Sequence, residues 1–451
     1  MSYYILPKTN NNISIHVEVN NTTINDTTIN DTPLNNTMIN DENKLYVSNT
    51  LYNYYHDIMT ELSFFFIDNN ELLSLEEFVR IVNPYEYIHT LVSGTKISVS
   101  KLKTDTNIFY DFLEIMITLN LLESKQKDIQ LLIVSKNYKD IIQCVELVRE
   151  NNNDHKVFFN EINDTYFHCI SNTISNTISN TISNTINNTI SNTITNIEYY
   201  DFMFFEANTE TLDTYMIDLI KFIMIIFKQM KNNGICIIKI DSIFYKPIVD
   251  ILYLLSSCFE KVYIIKPNTN NITTFEKYIV CKYFIINENK SKLYHLNYDI
   301  LGDYLLKLKL KLKLKDERIL SLIQSDTPCY FINKINDINT IIGQQQLESL
   351  HQIINILNSR NKNDKIELMK KTNIQKCVNW CEKFKLPCNK FTEKTNMFLP
   401  VSKEKEKENE NMIFLNNLSN TSINDLNCDD TNENNNNVDI NFYFDEIIDE
   451  K

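Results

Sequence analysis

The feature that most constrains this 451-residue chain is a stretch, residues 129–286, where short apolar segments alternate with segments of helical period. Residues 129–134 (IQLLIV) read as a buried strand and 138–149 as a helix. Strands follow at 156–159 (KVFF) and 200–205 (YDFMFF), then a long helix at 211–230. Next come a strand at 234–240 (GICIIKI), a helix at 245–258 and closing strands at 262–265 and 278–286. Strands separated by helices need crossover connections, so they build a mostly parallel sheet covered on both faces. The last two strands are joined by residues with no helical pattern, which predicts an antiparallel pair at one end of the sheet.

The flanks divide by composition. Residues 51–82 read as one or two helices, and 105–122 as another, with Ile108, Phe109, Phe112, Ile115, Met116 and Leu119 at helical spacing. Residues 8–46 hold Asn/Thr near-repeats with few large apolar side chains and are expected to be disordered. A second biased block, 170–196, repeats Ile-Ser-Asn-Thr and reads as an insertion looping out of a domain. The expected divisions are an arm at 1–46, a helical segment at 47–122, and an α/β domain at 123–290 with its insertion at 170–197. A helical extension at 291–400 and an acidic, Asn-rich tail at 401–451 complete them. From Leu306 to Lys315 Leu and Lys alternate strictly; this suits an edge strand whose basic face could grip phosphates, or a repeat expansion without a role.

The 44 Lys and Arg against 58 Asp and Glu give a net charge of −14, which excludes a generally basic nucleic-acid coat; any RNA contact must use a local patch. No basic-then-apolar leader opens the chain, and the most membrane-like stretch, 216–230, is short and carries Asp218, Lys221 and Lys228. No membrane association is expected. Ten cysteines without regular spacing fit reduced thiols and a cytoplasmic location, in a host cytoplasm or a virion if the chain is viral. Cys377, Cys381 and Cys388 lie close but have no histidine beside them, so no metal site is expected. His89 and His168 read as structural, and Trp380 with Phe384 as part of a helix packed on the core.

Residues 234–285, GICIIKIDSIFYKPIVDILYLLSSCFEKVYIIKPNTNNITTFEKYIVCKYFI, carry a specific pattern. A strand ends in lysine, a helix follows, the next strand ends Lys-Pro, and Glu-Lys-Tyr precedes the last strand. This resembles the FtsJ-like ribose 2′-O-methyltransferases, most closely the versions of large cytoplasmic DNA viruses. Residues 83–115 resemble the family's substrate-side helix and lead-in, and residues 342–387 the helical extension of the viral members. The resemblance implies a Rossmann-like, S-adenosylmethionine-dependent α/β fold. Its sheet would be mostly parallel and seven-stranded with a terminal antiparallel strand. The implied reaction is methyl transfer to an RNA ribose 2′-hydroxyl, with capped mRNA as partner.

The family surrounds that hydroxyl with a Lys-Asp-Lys-Glu tetrad, in which a lysine of depressed pKa accepts the proton. By resemblance Lys239 is the central lysine, Glu276 the closing glutamate and Glu206 stands where the family has aspartate. Lys101, with Lys103 nearby, would assist as the first lysine; the position three before Glu114, where the broader family has it, is Asp111. The cofactor turn falls on Ser135, Asn137 and Tyr138. The chain has only four glycines, Gly94, Gly234, Gly302 and Gly343, so that turn has none, although backbone must approach the methyl donor there without a Cβ between. Lys136 and Lys139 would also face a sulfonium cation. Ordinary S-adenosylmethionine binding is therefore not expected. Three readings follow: a degenerate, non-catalytic RNA- or partner-binding subunit, an active enzyme with an unusual cofactor loop, or an inert scaffold with Asn-rich arms.

Overall fold

A computed structural model describes residues 2–20, 45–68, 74–92, 95–122, 128–150, 152–162, 199–207, 211–310 and 318–389. Outside these lie most of the Asn/Thr-rich arm, the 170–197 insertion, His168, the end of the Leu/Lys tract and the 401–451 tail.

The main sheet holds β1 (Ser2–Ile5), β3 (Gln130–Val134), β4 (His155–Phe159), β5 (Tyr200–Glu206), β6 (Met230–Ile240), β7 (Phe259–Lys266) and β8 (Lys277–Phe284). Their order across it is β1-β7-β8-β6-β5-β3-β4. β4, β3, β5 and β6 pair in parallel, while β8 runs antiparallel to both β6 and β7. The expected α/β class, the Rossmann-like sheet and the antiparallel pair are all present. Six strands are those read from the sequence. The seventh is a surprise: β1, inside the expected arm, adds antiparallel to β7. Its Tyr4 side faces the core, and Tyr3 packs edge-on to Tyr263 at 6.5 Å.

A second departure lies just beyond. β2 (Ile15–Asn20) pairs antiparallel with β9 (Arg318–Ile323), and Ile13 and Ile15 are buried in the main core. The arm boundary at 46 is therefore wrong for residues 2–20; a few well-placed isoleucines suffice where a waiting strand edge satisfies the backbone. The Leu/Lys tract is corrected too. Leu306–Leu310 ends the helix α7 (Glu288–Leu310) instead of forming an edge strand, because its residues extend a helix already nucleated upstream.

The remaining helices are α1 (Asn49–Asp68), α2 (Leu75–Val82), α3 (Ile108–Thr118), α4 (Tyr138–Val148), α5 (Leu212–Gln229), α6 (Lys246–Cys258), α8 (Cys329–Leu357) and α9 (Lys362–Lys383). α1, α2 and α8 share a satellite core around Phe78, Leu62 and Leu350. α3 is buried on every side from Ile108 to Met116, Asp111 and Glu114 included. Two carboxylates inside such a helix require partners.

One backbone detail sets the register on which the site depends. Tyr200 pairs with Met230 and Phe202 with Ile235, so β5 advances two residues while β6 advances five. The extra residues bulge, with Asn233 at φ 60°. A Cβ at Gly234 would lie 2.2 Å from Met230 Sδ and 2.8 Å from the Lys231 carbonyl oxygen. The bulge lets Lys239 stand opposite Glu206; a one-residue slip would turn it to the other face. Gly234→Ala is expected to cost ~1–3 kcal/mol through this overpacking, read as a lower urea midpoint.

Candidate active site

In a parallel sheet the ligand crevice opens at the carboxyl ends of strands where their order reverses. Here that point lies between β3 and β5, and Ser135 and Glu206 are the residues at its lip. They are bonded to each other. Ser135 Oγ donates to Glu206 Oε2 at 2.5 Å, Asn137 Nδ2 reaches the same oxygen at 3.4 Å, and the Asn137 backbone N–H donates to Ser135 Oγ at 2.9 Å. Tyr138, the first residue of α4, turns its ring onto Phe158, stacked at 4.4 Å.

The cleft left at this lip, beside Val134, Asn160, Glu206 and Phe222, encloses about 140 Å³. Sites for drug-sized ligands take roughly 300–1,000 Å³. The residues present do not fit S-adenosylmethionine: the groups that should clear a path for it bond to one another across the crevice.

The tetrad positions are assembled more fully. Lys239, at the end of β6, places Nζ 3.0 Å from Glu206 Oε1 and 3.5 Å from Glu276 Oε1. Lys101 does not join them; its side chain is exposed, and its backbone N–H donates to the Pro387 carbonyl at 2.9 Å. This corrects the expected first lysine. Asp111 comes to the site instead, carried by buried α3, with 1% of its surface exposed. It accepts from Thr269 Oγ1 at 2.5 Å, Asn270 Nδ2 at 2.9 Å and Tyr278 OH at 3.0 Å, and Tyr278 is the cross-strand partner of Lys239. One turn along α3, Glu114 accepts from the Asn268 N–H at 3.0 Å and from Trp380 Nε1 at 3.3 Å. Trp380 thus packs on the core as expected, beside Tyr110 and Phe384.

The electrostatics follow from this placement. Burial lowers the Lys239 ammonium, but Glu276, Glu206 and Asp111 outweigh it and hold the group above the ordinary lysine value. A base that must lose its proton near neutral pH needs the opposite. Burial raises the Asp111 carboxyl despite its donors and Lys239. Burial, then Glu276, raises Asp241, which lies just past β6. Burial lowers Lys277, beside Glu276, to about 8.

Phe275, the residue before Glu276, lines an aromatic cavity of about 280 Å³. Its walls include Tyr52 and Tyr55 from α1, Tyr215 from α5, Phe244 and Tyr245 after β6, and Phe275. Tyr52 and Phe275 lie nearly parallel, 15° apart with centroids at 6.5 Å, and Phe244 meets Phe275 edge-on at 4.8 Å. Asp241 lines the same space. Sequence reading did not find this cavity; the aromatic density of LYNYYH and IFY was the available signal. Cys377 and Cys381 are buried thiols that burial raises, the latter to about 12, and no group suited to a metal ion occurs among the described residues. Nor, among these residues, is any helix long and apolar enough to cross a membrane.

Comparison with known proteins adds to this geometry. Residues 146–284 match the family model described as FtsJ-like methyltransferase. The cap-specific mRNA (nucleoside-2′-O-)-methyltransferase 1 of Drosophila melanogaster is 27% identical over 129 residues, 28% of this chain and 16% of that protein. The match therefore spans about a sixth of that relative's length. Among solved structures, human methyltransferase-like protein 13 in complex with SAH matches 43% of this chain and 90% of its own. Its 12% identity and TM-score of 0.21 carry no argument. The matched segment, which runs from the end of α4 through β8 and holds Glu206, Lys239 and Glu276, is similar to the FtsJ-like methyltransferases.

Proposed function

We propose that this chain is a degenerate FtsJ-like ribose 2′-O-methyltransferase that binds RNA at its substrate side and does not transfer a methyl group. The contrast between its two clefts carries this reading. The donor-side crevice is bridged by Ser135, Asn137 and Glu206, whereas the substrate-side cavity is open and walled by aromatic rings. Rings of this kind stack on nucleobases without needing a particular sequence. The Asp241 carboxylate among them suits a base that carries donors or positive charge, as in a capped 5′ end. Lys239, held protonated between glutamates, would bind a ribose or phosphate oxygen and not deprotonate it. A protein partner could share the same face, and the chain would act as the RNA-holding subunit of such a pair.

Two titrations of the whole chain test this. Calorimetry should detect no heat from S-adenosylmethionine, while a capped RNA pentanucleotide binds with an affinity that falls as salt is raised. Tyr52→Ala and Phe275→Ala should each weaken RNA about tenfold or more, from the ~1–3 kcal/mol that a stacked base contributes. The convergence of Lys239, Glu206 and Glu276 favours one second reading, an active enzyme. A methylated product that disappears in Lys239→Met would establish it and end the degenerate reading. Absence of RNA binding would overturn this reading and leave a partner-binding subunit or an inert scaffold.

A further inference from the structure

The connection between β7 and β8, residues 267–276, has no helix and no strand, yet the buried carboxylates, the aromatic cavity and Lys239 all meet it. Its near end supplies the Asn268 N–H to Glu114, and Thr269 and Asn270 to Asp111. Its far end carries Phe275, a wall of the aromatic cavity, and Glu276, a partner of Lys239. Something must hold so irregular a segment in one shape.

At its base is Lys266, the last residue of β7, with 6% of its surface exposed. Lys266 Nζ donates to Asn270 Oδ1 at 2.5 Å and to the carbonyl oxygens of Asn271, Thr274 and Glu276, each at 2.8 Å; Thr274 Oγ1 lies at 3.4 Å. An ammonium has three N–H groups, fewer than the oxygens gathered here, so the acceptors share them as they would share a bare cation. All of these oxygens come from the connection itself. Backbone carbonyls turned inward in this way are costly without a positive charge at their centre.

We propose that Lys266 is a positioning residue: its ammonium is a tethered cation around which residues 267–276 wind, and it thereby sets Phe275 against the aromatic cavity and Glu276 against Lys239. The consequence for RNA rests on the function proposed above; the consequence for the loop does not. Of the charged groups around it, Lys277 from β8 and Lys239 from β6 oppose the ammonium, while Glu276, Asp111 and Asp241, just past β6, favour it. Burial is the largest influence, and together these bring Lys266 down to about 7. The winding therefore loosens as pH rises through neutrality, when the nitrogen loses a donor and turns a lone pair toward the carbonyls.

The test uses full-length protein and two readouts, hydrogen–deuterium exchange and affinity for a capped RNA pentanucleotide. Lys266→Ala should raise exchange in residues 267–276 about tenfold while β3 and β5 keep wild-type protection, and should weaken the RNA about tenfold. Added n-propylammonium, which replaces the carbons and charge removed, should restore both; n-propanol should not. Lys266→Met preserves the packing, so it should show the same loosened loop, no rescue and no pH dependence near 7. A loop that keeps wild-type exchange in either variant overturns the proposal, as does equal rescue by propanol. Should the wild-type chain fail to bind the RNA, the functional reading falls, and loop exchange alone decides on Lys266.

Discussion

Arg149→Met is expected to lower the unfolding free energy by ~3–5 kcal/mol, the range for removing one partner of a buried ion pair. Arg149 closes α4, and its fork meets Asp154 through Nε–Oδ2 at 2.6 Å and Nη2–Oδ1 at 2.9 Å. Both side chains are almost wholly enclosed, at 2% and 3% exposure. The same guanidinium donates to the Leu122 carbonyl at 3.1 Å, and Asp154 Oδ1 accepts the Ile129 N–H at 3.0 Å. The pair therefore ties the end of α4 to the segment leaving α3 and to the entry of β3. Truncation leaves the Asp154 charge buried and the Leu122 carbonyl without this donor. Arg149→Lys keeps the charge but loses the two-pronged geometry, and should fall between wild type and Arg149→Met. Arg149→Met with Asp154→Leu removes both charges, so it should recover much of the loss. Urea unfolding checks all three; a midpoint unchanged in Arg149→Met would show that the pair contributes little.

How far the sequence discloses the molecule depends on how local each signal is. The strands at 130–134 and 200–206 are largely buried apolar runs, and a parallel sheet enclosed on both faces demands such runs. They can be read residue by residue. β1 and β2 are harder, because β1 has only four residues and the alternation of IHVEVN in β2 is a single short run beside the Asn/Thr repeats. Each becomes a strand by completing an edge offered by a segment more than 250 residues away, Ser2 with Lys266 and Ile15 with Ile323. The Leu/Lys tract fails for a related reason: a period of two marks a strand only if nothing upstream has already started a helix.

The site shows the same division. Lys239, Glu276 and Glu206 sit at strand ends that the pattern itself locates, and the fold brings both carboxylates within 3.5 Å of the Lys239 ammonium. Lys101 offers a charge near the right place in the sequence, whereas the fold selects by helix face, and α3 presents Asp111. The absence of glycine after β3 was legible from sequence. That Ser135, Asn137 and Glu206 bond across the resulting space was not, since no spacing rule links residues 135 and 206. The aromatic cavity draws its walls from α1, α5, the segment after β6 and Phe275, so only the assembled fold makes it visible.

Lys239→Met should cost ~1–3 kcal/mol at neutral pH, below the ~3–5 kcal/mol for a fully buried pair, because solvent reaches Glu276 and Glu206 keeps Ser135 and Asn137 as donors. The pH dependence gives this prediction its sharper test. In the wild type the Lys239 ammonium is held above its ordinary value, so its contribution is fully present below the ordinary lysine range and is lost only as pH rises through the raised value. The variant behaves differently. Asp111, already raised by burial, loses the ammonium that drew it down and rises further. A buried acid with a raised pKa binds its proton more tightly folded than unfolded, so stability falls as pH climbs from the unfolded value, near 3.8, toward the raised one. The deficit of Lys239→Met should accordingly be small in acid and reach its full size toward neutrality. Lys239→Met combined with Asp111→Asn should flatten that dependence, since the second change removes the titrating group and keeps its shape. If the deficit is the same at all pH values, the ammonium is not what holds these carboxylates together, and the site's charge balance rests on other groups.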